Sequence, residues 1–365
     1  MKIVIVAFAS DNHTAPLKWA LEQAGYEVAC WAGVGWTGAR QATLSFSFND
    51  GARAILGSFS LAPGDVVWIR RPNTPAPNPN VAAPDKAFAE EEYRWFSLST
   101  LYLLEHLPVR CVNPYSVSRV INNKSVQLFL AAKNGLNVPG TVMTNAPEAV
   151  RESLRHSRRG KICKAFSPHI WKKEGSEALA VTETFEISEE ALPEDEVLTY
   201  APAIYQEKIV KAFDVRMVLL GTTLYSYSLH TPSQALDWRQ EVAQGHVGLE
   251  EIATPADVES AVLAFSREAG IEFGSFDFAV DYDGRWWFLE VNEGGQFLWL
   301  DEFKPAFRVQ EKFLAFLTLP EGSSRREIER KQNEFPSWKD YCAAPPKAPD
   351  PEEADSADPI LSVEP

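Results

Sequence analysis

Residues 274–292, GSFDFAVDYDGRWWFLEVN, set two strand-like runs on either side of Asp283-Gly284. Phe, Val, Trp and Leu dominate both runs, and Asp-Gly favours a two-residue type I′ turn, so the segment predicts a β-hairpin. In that register Tyr282 pairs with Arg285, and Asp277 lies directly opposite Glu290. Side chains alternate faces with a period of two. Asn292 therefore shares the face of Glu290, while Phe276, Phe278, Val280, Trp287, Leu289 and Val291 form an apolar core face. Directly paired strand residues have Cβ atoms about 5 Å apart, where like charges are destabilising. A lone acidic pair is ordinarily a solvated surface feature. Here Ala279, Trp286 and Phe288 fall on the acidic face, which argues against free solvation and for a cation between the carboxylates. Two carboxylates and an amide oxygen make a hard, all-oxygen ligand set. Such a set suits Mg²⁺, whose shell is typically completed by waters and substrate phosphates. The hairpin points to nucleotide chemistry.

A chain of 365 residues predicts two or three domains, and 45% hydrophobic content is ample for their cores. The net charge of −15 speaks against a general nucleic-acid binder. Part of that charge is local: residues 343–365 hold six acids, one lysine and six prolines without an aromatic, so an acidic, Pro-rich disordered tail is expected over 321–365. Cys30, Cys111, Cys163 and Cys342 have no metal-ligand spacing, and a chain of this size needs no disulfide. The opening MKIVIVAFAS reads as a first strand rather than a signal peptide, and no run approaches the ~20 apolar residues of a membrane span. A cytoplasmic protein without membrane partners is expected.

Strand, helix and strand signals at 2–9, 16–24 and 26–31 give a β-α-β rhythm and so an α/β fold. A strand at 65–70 runs into the loop RRPNTPAPNPN, and 85–106 reads as a long helix. Asn113-Pro114 marks a plausible domain edge. Ser116 is placed to cap a helix running to Asn134 and closed by Gly135. Lys124 falls on that helix's apolar stripe, and Lys164 alternates with Ile162 and Phe166 on the strand 161–166. Lys124 could snorkel from the edge of its face. Two inward lysines beside a metal site also read as phosphate contacts. Asp214 and Arg216 share one face of a long strand with Val218 and Leu220, where they could pair with each other or serve the site. His13, His230 and His246 are read as structural or surface residues.

Taken in order, NPYSVSRVINNKSVQLFLAAKNGLNVPGTVMTN (113–145), YQEKIVKAFDVRMVLLG (205–221), DWR (237–239) and FDFAVDYDGRWWFLEVNEGGQFLWLDE (276–302) resemble the ATP-grasp ligases. The GQFLWL continuation and VWIRRP (67–72) resemble more closely the ribosomal-peptide maturases that make microviridin-type graspetides. The resemblance covers roughly residues 1–319. It implies a pre-ATP-grasp α/β domain at 1–115, a central ATP-grasp subdomain at 116–203 and a C-terminal one at 204–320. It also implies Asp277, Glu290 and Asn292 as Mg²⁺ ligands, Lys124 and Lys164 on ATP phosphates, and Gln206, Glu207, Lys208 and Ile209 as an adenine hinge with Asp214 close to the nucleotide. Arg216 and Arg239 would face the γ-phosphate and the acyl-phosphate formed from it.

The chemistry implied is attack of an Asp or Glu side-chain carboxylate of a precursor peptide on ATP. Capture of the acyl-phosphate by Ser, Thr or Lys of the same peptide then gives a macrocyclic ester or amide. No enzyme nucleophile is needed, in keeping with the lack of a GxSxG or Cys/His arrangement. An amino-acid ligase acting on a peptide or protein tail is the alternative, and a non-catalytic nucleotide-binding protein a third. Related ligases are commonly dimers, so a homodimer is expected. The segment after Lys164, AFSPHIWKKEGSEALAV, departs from the glycine-rich phosphate loop of many ATP-grasp enzymes, leaving Ser167 and His169 as weak candidates there.

Overall fold

The computed structural model describes residues 1–344 except 9–10, 50, 158, 168, 173–178, 232–235, 237 and 239–246. The first layer is built from β1 (Lys2–Ala7), α1 (Thr14–Gln23), β2 (Glu27–Cys30), a hairpin unit β3–β5 (Ala42–Ser47, Gly51–Leu56, Phe59–Ser60), β6 (Val66–Arg71), α2 (Lys86–Leu104) and β7 (Arg110–Val112). Strands β2-β1-β6-β7 form a parallel sheet in that order. Continuous apolar runs such as IVIVA suit such strands because both faces are covered. One face packs with the β3–β5 unit and α2, through Val4, Val67, Leu56 and Leu104.

The expected single helix over 116–134 is two: α3 (Tyr115–Ile121) and α4 (Lys124–Lys133). Adjacent Asn122 and Asn123 break it, because short amides compete for backbone groups and favour caps. Asn123 Oδ1 accepts from the Ser125 amide at 3.1 Å and starts α4. Ser116, expected as the cap, instead lies within α3 and donates its hydroxyl to Glu105 at 2.6 Å. Next come β8 (Thr141–Thr144), α5 (Pro147–Arg155), β9 (Lys161–Lys164), β10 (Ile170–Lys172), β11 (Leu179–Val181), β12 (Phe185–Ile187), α6 (Asp195–Tyr200) and β13 (Ala203–Glu207). Their central sheet is antiparallel, in the order β12-β9-β13-β8. The boundary expected between residues 203 and 204 is corrected, because β13 pairs with both β8 and β9 and carries this sheet on to Glu207.

The last sheet is antiparallel, in the order β16-β15-β14-β17-β18, from β14 (Lys211–Leu220), β15 (Thr223–His230), β16 (Gly248–Ile252), β17 (Phe273–Asp281) and β18 (Trp286–Asn292). Between β16 and β17 runs α7 (Ala256–Ala269), stopped by Gly270 at φ +76°. This helix and α4 cover one face of the sheet, through Val262, Phe265, Leu130 and Ala131. The other face shares a core with the N-terminal sheet, where Ile3, Ile5 and Trp68 meet Val218, Tyr227, Phe273 and Phe313.

Four helices follow: α8 (Leu298–Phe303), α9 (Val309–Thr318), α10 (Arg325–Lys331) and α11 (Trp338–Ala343). The tail expected to be disordered from 321 is corrected over 321–344. Capping boxes at Ser324/Glu327 and Ser337/Asp340 start α10 and α11, and Ile328 and Phe335 are buried in the shared core. Residues 345–365 lie outside the described residues. Among the described residues no helix is long and apolar enough to cross a membrane.

Candidate active site

Asp277 and Glu290 are direct register partners, as the hairpin reading expects, but by a different route. Asp281 and Arg285 close the turn, the Asp281 amide donating to the Arg285 carbonyl at 3.0 Å, so the loop holds three residues and not two. Gly284 sits in it at φ +78°, a left-handed position at which glycine is unstrained. That shifts the pairs near the turn by one, to Val280↔Trp286 and Phe278↔Phe288. An irregularity after Asp277 absorbs Leu289 as an extra residue and restores Asp277↔Glu290, Phe276↔Val291 and Ser275↔Asn292. The face assignment is corrected accordingly. Trp286 and Phe288 join the core with Phe276, Phe278 and Val280, while Leu289 lies with Ala279 on the acidic face.

Glu290, Asp277, Ala279 and Leu289 form one wall of a cleft of about 220 Å³. Lys124 reaches it from the first position of α4, and its Nζ donates to Glu290 Oε2 at 2.6 Å. Opposite stand Ile162 and Lys164 of β9, and Gln206 and Glu207 of β13, continuing to Lys208 and Ile209. Lys164 Nζ donates to Gln206 Oε1 at 2.9 Å, and Gln206 Nε2 donates to Thr141 Oγ1 at 3.0 Å. The Glu207 and Lys208 amides donate to the Gly140 and Gly160 carbonyls at 2.8 and 3.0 Å, so both are already engaged within the fold. Lys208 also pairs through its side chain with Glu186. Ser167 lines the cleft, whereas His169 is exposed.

Arg216 and Asp214 do not pair with each other. Each finds a partner across or along its strand. Arg216 is the register partner of Asp277 and donates Nη1 to both carboxylate oxygens, at 2.8 and 2.9 Å. Arg216 is 4% exposed and is not among the residues that line the cleft. Asp214 pairs with Lys211 at 2.7 Å, and both line the cleft. Arg239 lies outside the described residues. Among the described residues the facing carboxylates are met by Arg216 at Asp277 and Lys124 at Glu290.

Gln127, which sequence reasoning missed, sits one turn after Lys124. Its Oε1 accepts from the Val291 amide at 2.9 Å, and its Nε2 donates to the Val291 and Ile121 carbonyls. Val291 separates Glu290 from Asn292, so this amide fixes the strand between two expected metal ligands. Asn137 does the same for the shifted part of β18, through the Phe288 amide and the Trp286 carbonyl. A polar residue at a helical turn's spacing from Lys124 was the available signal. Glu293 is buried and accepts from Asn122 Nδ2 at 2.7 Å, and burial raises its pKa above the ordinary value. His13 is buried, and His230 is an exposed strand end whose Nε2 lies 3.2 Å from Ser228 Oγ, so both sit as structural or surface residues. His246 lies outside the described residues.

Among the described residues no three His, Cys, Asp or Glu side chains gather as a metal cage. Asp277 and Glu290 line the cleft, whereas Asn292, two positions after Glu290 on β18, is not among its lining residues; the two carboxylates are an incomplete oxygen set, which fits a cation that shares its ligands with a bound phosphate.

The architecture is the ATP-grasp ligase fold. An ATP-grasp ligase of Chryseobacterium gregarium, RiPP-associated and solved with ADP and a leader and core peptide, superposes with a TM-score of 0.73 at 22% identity, over 89% of this chain and 99% of that one. The macrocyclase MdnC of Microcystis aeruginosa MRC, bound with its precursor peptide MdnA, gives 0.69 at 24% identity, over 87% and 99%. PsnB, an ATP-grasp ligase solved with a minimal precursor variant, Mg and ADP, gives 0.66 at 20% identity, over 87% and 97%. No family model matches the sequence, and no curated protein matches it.

Proposed function

We propose that this chain is an ATP-dependent, ADP-forming ligase that crosslinks a ribosomally made precursor peptide. It would activate an Asp or Glu side chain as an acyl-phosphate and pass the acyl group to Ser, Thr or Lys of the same peptide. The observation that carries this reading is the Asp277–Glu290 pair at a cleft whose opposite wall presents Lys164, in a fold shared with three peptide-bound ligases.

Asp277, Glu290 and Asn292 would hold Mg²⁺, which supplies neutralisation of phosphate charge when bound. Lys124 and Lys164 would turn from Glu290 and Gln206 toward phosphate oxygens. Ile162, Leu289 and Ala279 offer apolar walls for a base, and the hinge from Gln206 to Ile209 its polar edge. With the Glu207 and Lys208 amides engaged elsewhere, that edge falls to the Ile209 amide and the hinge carbonyls. Asp214 would lie near the nucleotide. Arg216 would act first by orienting Asp277, with Arg239 left to meet the transferring phosphate. The acyl group passes directly from phosphate to the peptide nucleophile, so the protein's work is positioning and charge stabilisation.

Mass spectrometry of a candidate precursor, a short peptide with repeated Ser/Thr and Asp/Glu segments, tests the reading. Incubated with enzyme, ATP and Mg²⁺, it should lose one water per bond. A product heavier by one amino acid would replace the reading with the amino-acid ligase, and no ADP formation with any peptide would remove both. Glu290→Gln should lower ADP formation at least about a hundredfold with the fold intact.

A cytoplasmic homodimer completes the reading. Phe88, Trp95 and Tyr102, seven apart on α2, are exposed and offer an apolar stripe to a second copy. A monomeric mass by light scattering would count against the dimer.

A further inference from the structure

Two buried side chains of the N-terminal sheet region reach the turn that follows the expected metal ligands. Arg70, near the end of β6, has a side chain with no exposed surface. Its Nη1 donates to the Gly294 carbonyl at 2.7 Å and also to that of Gly295, and its Nε donates to Asp11 Oδ1 at 3.4 Å. His13, just ahead of α1, accepts at Nε2 from the Phe297 and Leu298 amides at 3.0 and 3.3 Å. One side chain thus takes the turn's carbonyls and the other its amides, on either side of Gln296. The Gln296 carbonyl in turn accepts from Arg216 Nη2 at 2.6 Å, and Arg216 Nη1 grips Asp277. The turn has little freedom to find another seat. A Cβ on Gly295 would come within 2.2 Å of the Phe273 ring, and one on Gly294 within 3.3 Å of the Arg70 carbonyl.

We propose that His13 and Arg70 are positioning residues, which clamp the Gly294–Leu298 turn so that the Gln296 carbonyl and Arg216 hold the Asp277 carboxylate in its metal-binding orientation. The inference rests on the reading of Asp277 as a metal ligand. Asp277 meets Arg216 through a single nitrogen and accepts on both oxygens, so the guanidinium's placement decides where those oxygens point. That placement is set by Gln296, which belongs to the turn and not to the sheet. Arg70 Nη2 lies 3.1 Å from His13 Nδ1, so both ring nitrogens of His13 face donors; an imidazolium would accept from neither, and the clamp needs a neutral His13. Burial, then the positive charges of Arg70, Arg71 and Arg216, hold its pKa well below the ordinary value. Residues that orient metal ligands from behind typically change metal affinity 10–100-fold, roughly the range in which the clamp should register.

The experiment titrates Mn²⁺ by electron paramagnetic resonance into the full chain in the presence of ADP. Asp277→Asn, Arg216→Lys and Arg70→Lys are tested singly, with the Arg70/Arg216 double. Lysine keeps the charge of Arg70 but, with a single nitrogen, cannot contact the turn carbonyls, Asp11 and His13 together. Arg70→Lys should weaken Mn²⁺ binding about tenfold or more, and the double variant should bind no worse than Arg216→Lys alone, because both act through one contact. Independent, additive losses, or an unchanged Mn²⁺ affinity in folded Arg70→Lys, would overturn the clamp. If Arg70→Lys does not fold, His13→Gln and His13→Leu carry the same test. Gln keeps an acceptor for the amides and should bind Mn²⁺ several-fold more tightly than Leu; equal affinities overturn the proposal. Asp277→Asn separates the two readings. Wild-type Mn²⁺ affinity in that variant removes the metal assignment and the clamp together, whereas a loss there with none in Arg70→Lys removes the clamp alone.

Discussion

The two walls of the cleft are built to different standards. On the C-terminal side of the cleft, Asp277 and Asp214 of the wall and Arg216 beside them are 6%, 2% and 4% exposed, each with a partner of opposite charge, on a sheet whose two faces are both covered by large cores. On the central wall the sheet rests on a small cluster centred on Val150, Cys163 and Tyr205, and Phe166 and Phe185 are exposed beside it. Its Lys164 donates to the neutral side-chain amide of Gln206. The more heavily packed wall carries the groups that must hold a fixed geometry, the expected metal ligands. The lighter wall carries those that would follow a nucleotide as it enters, a phosphate lysine and a hinge.

The largest test of this contrast removes one charge from each wall. Asp277→Asn leaves a buried guanidinium facing a neutral amide and should cost about 3–5 kcal/mol of stability. Lys164→Met loses the hydrogen bond to Gln206 at a partly open site and should cost about 1 kcal/mol. Urea unfolding midpoints measure both, and equal costs would break the comparison. Next, amides of β9 and β13 should exchange with deuterium at least about tenfold faster than those of β14 and β17, because local opening tracks the apolar contacts that must be lost. Matching rates would mean that the small core is no weaker than the large ones.

A pH series sharpens the contrast further. The folded state lowers the His13 pKa from an ordinary 6.5, so the unfolded chain binds this proton first on acidification. The stability held by neutral His13 is whole above pH 6.5 and drains as pH falls below it toward the depressed folded value. His13→Gln should flatten that part of the melting-temperature profile, and an unchanged profile would place the acid sensitivity elsewhere. The smallest effect concerns thiols. Exposed Cys342 should react first with a disulfide reagent. In mild denaturant Cys163 of the central sheet should follow before Cys111, whose thiol burial pushes up to about 12 and which sits against the larger N-terminal core.

Much of the arrangement is legible in the sequence where a local pattern carries it. The α/β rhythm, the strands bearing Lys164 and Arg216, and the facing of Asp277 and Glu290 all follow from alternation and turn residues. The hairpin also shows why such readings can reach a correct pairing through a wrong path. A two-residue turn without a bulge and a three-residue turn with one give the same pairing at Asp277, yet opposite faces for Trp286 through Leu289. No local signal marks Leu289 as the extra residue. The contacts of Gln127, Asn137, Arg70 and His13 were out of reach for another reason. Their partners lie on distant elements, up to 285 positions away in sequence for His13 and Leu298. The fold past residue 320 was hidden by composition. Acids and prolines beyond 343 lowered the apparent hydrophobicity of a stretch that contains two capped helices.

The core shared by the first and last sheets has a consequence for taking the chain apart. The wall of Ile3, Ile5 and Trp68 that meets Phe273 and Phe313 means that residues 1–115 are not a detachable module. Cut away, that piece would present a bare apolar surface to water, and the remainder would lose the cover over its own strands. Grafting the site onto another scaffold, or swapping it between relatives, calls for the two ends of the polypeptide to travel together.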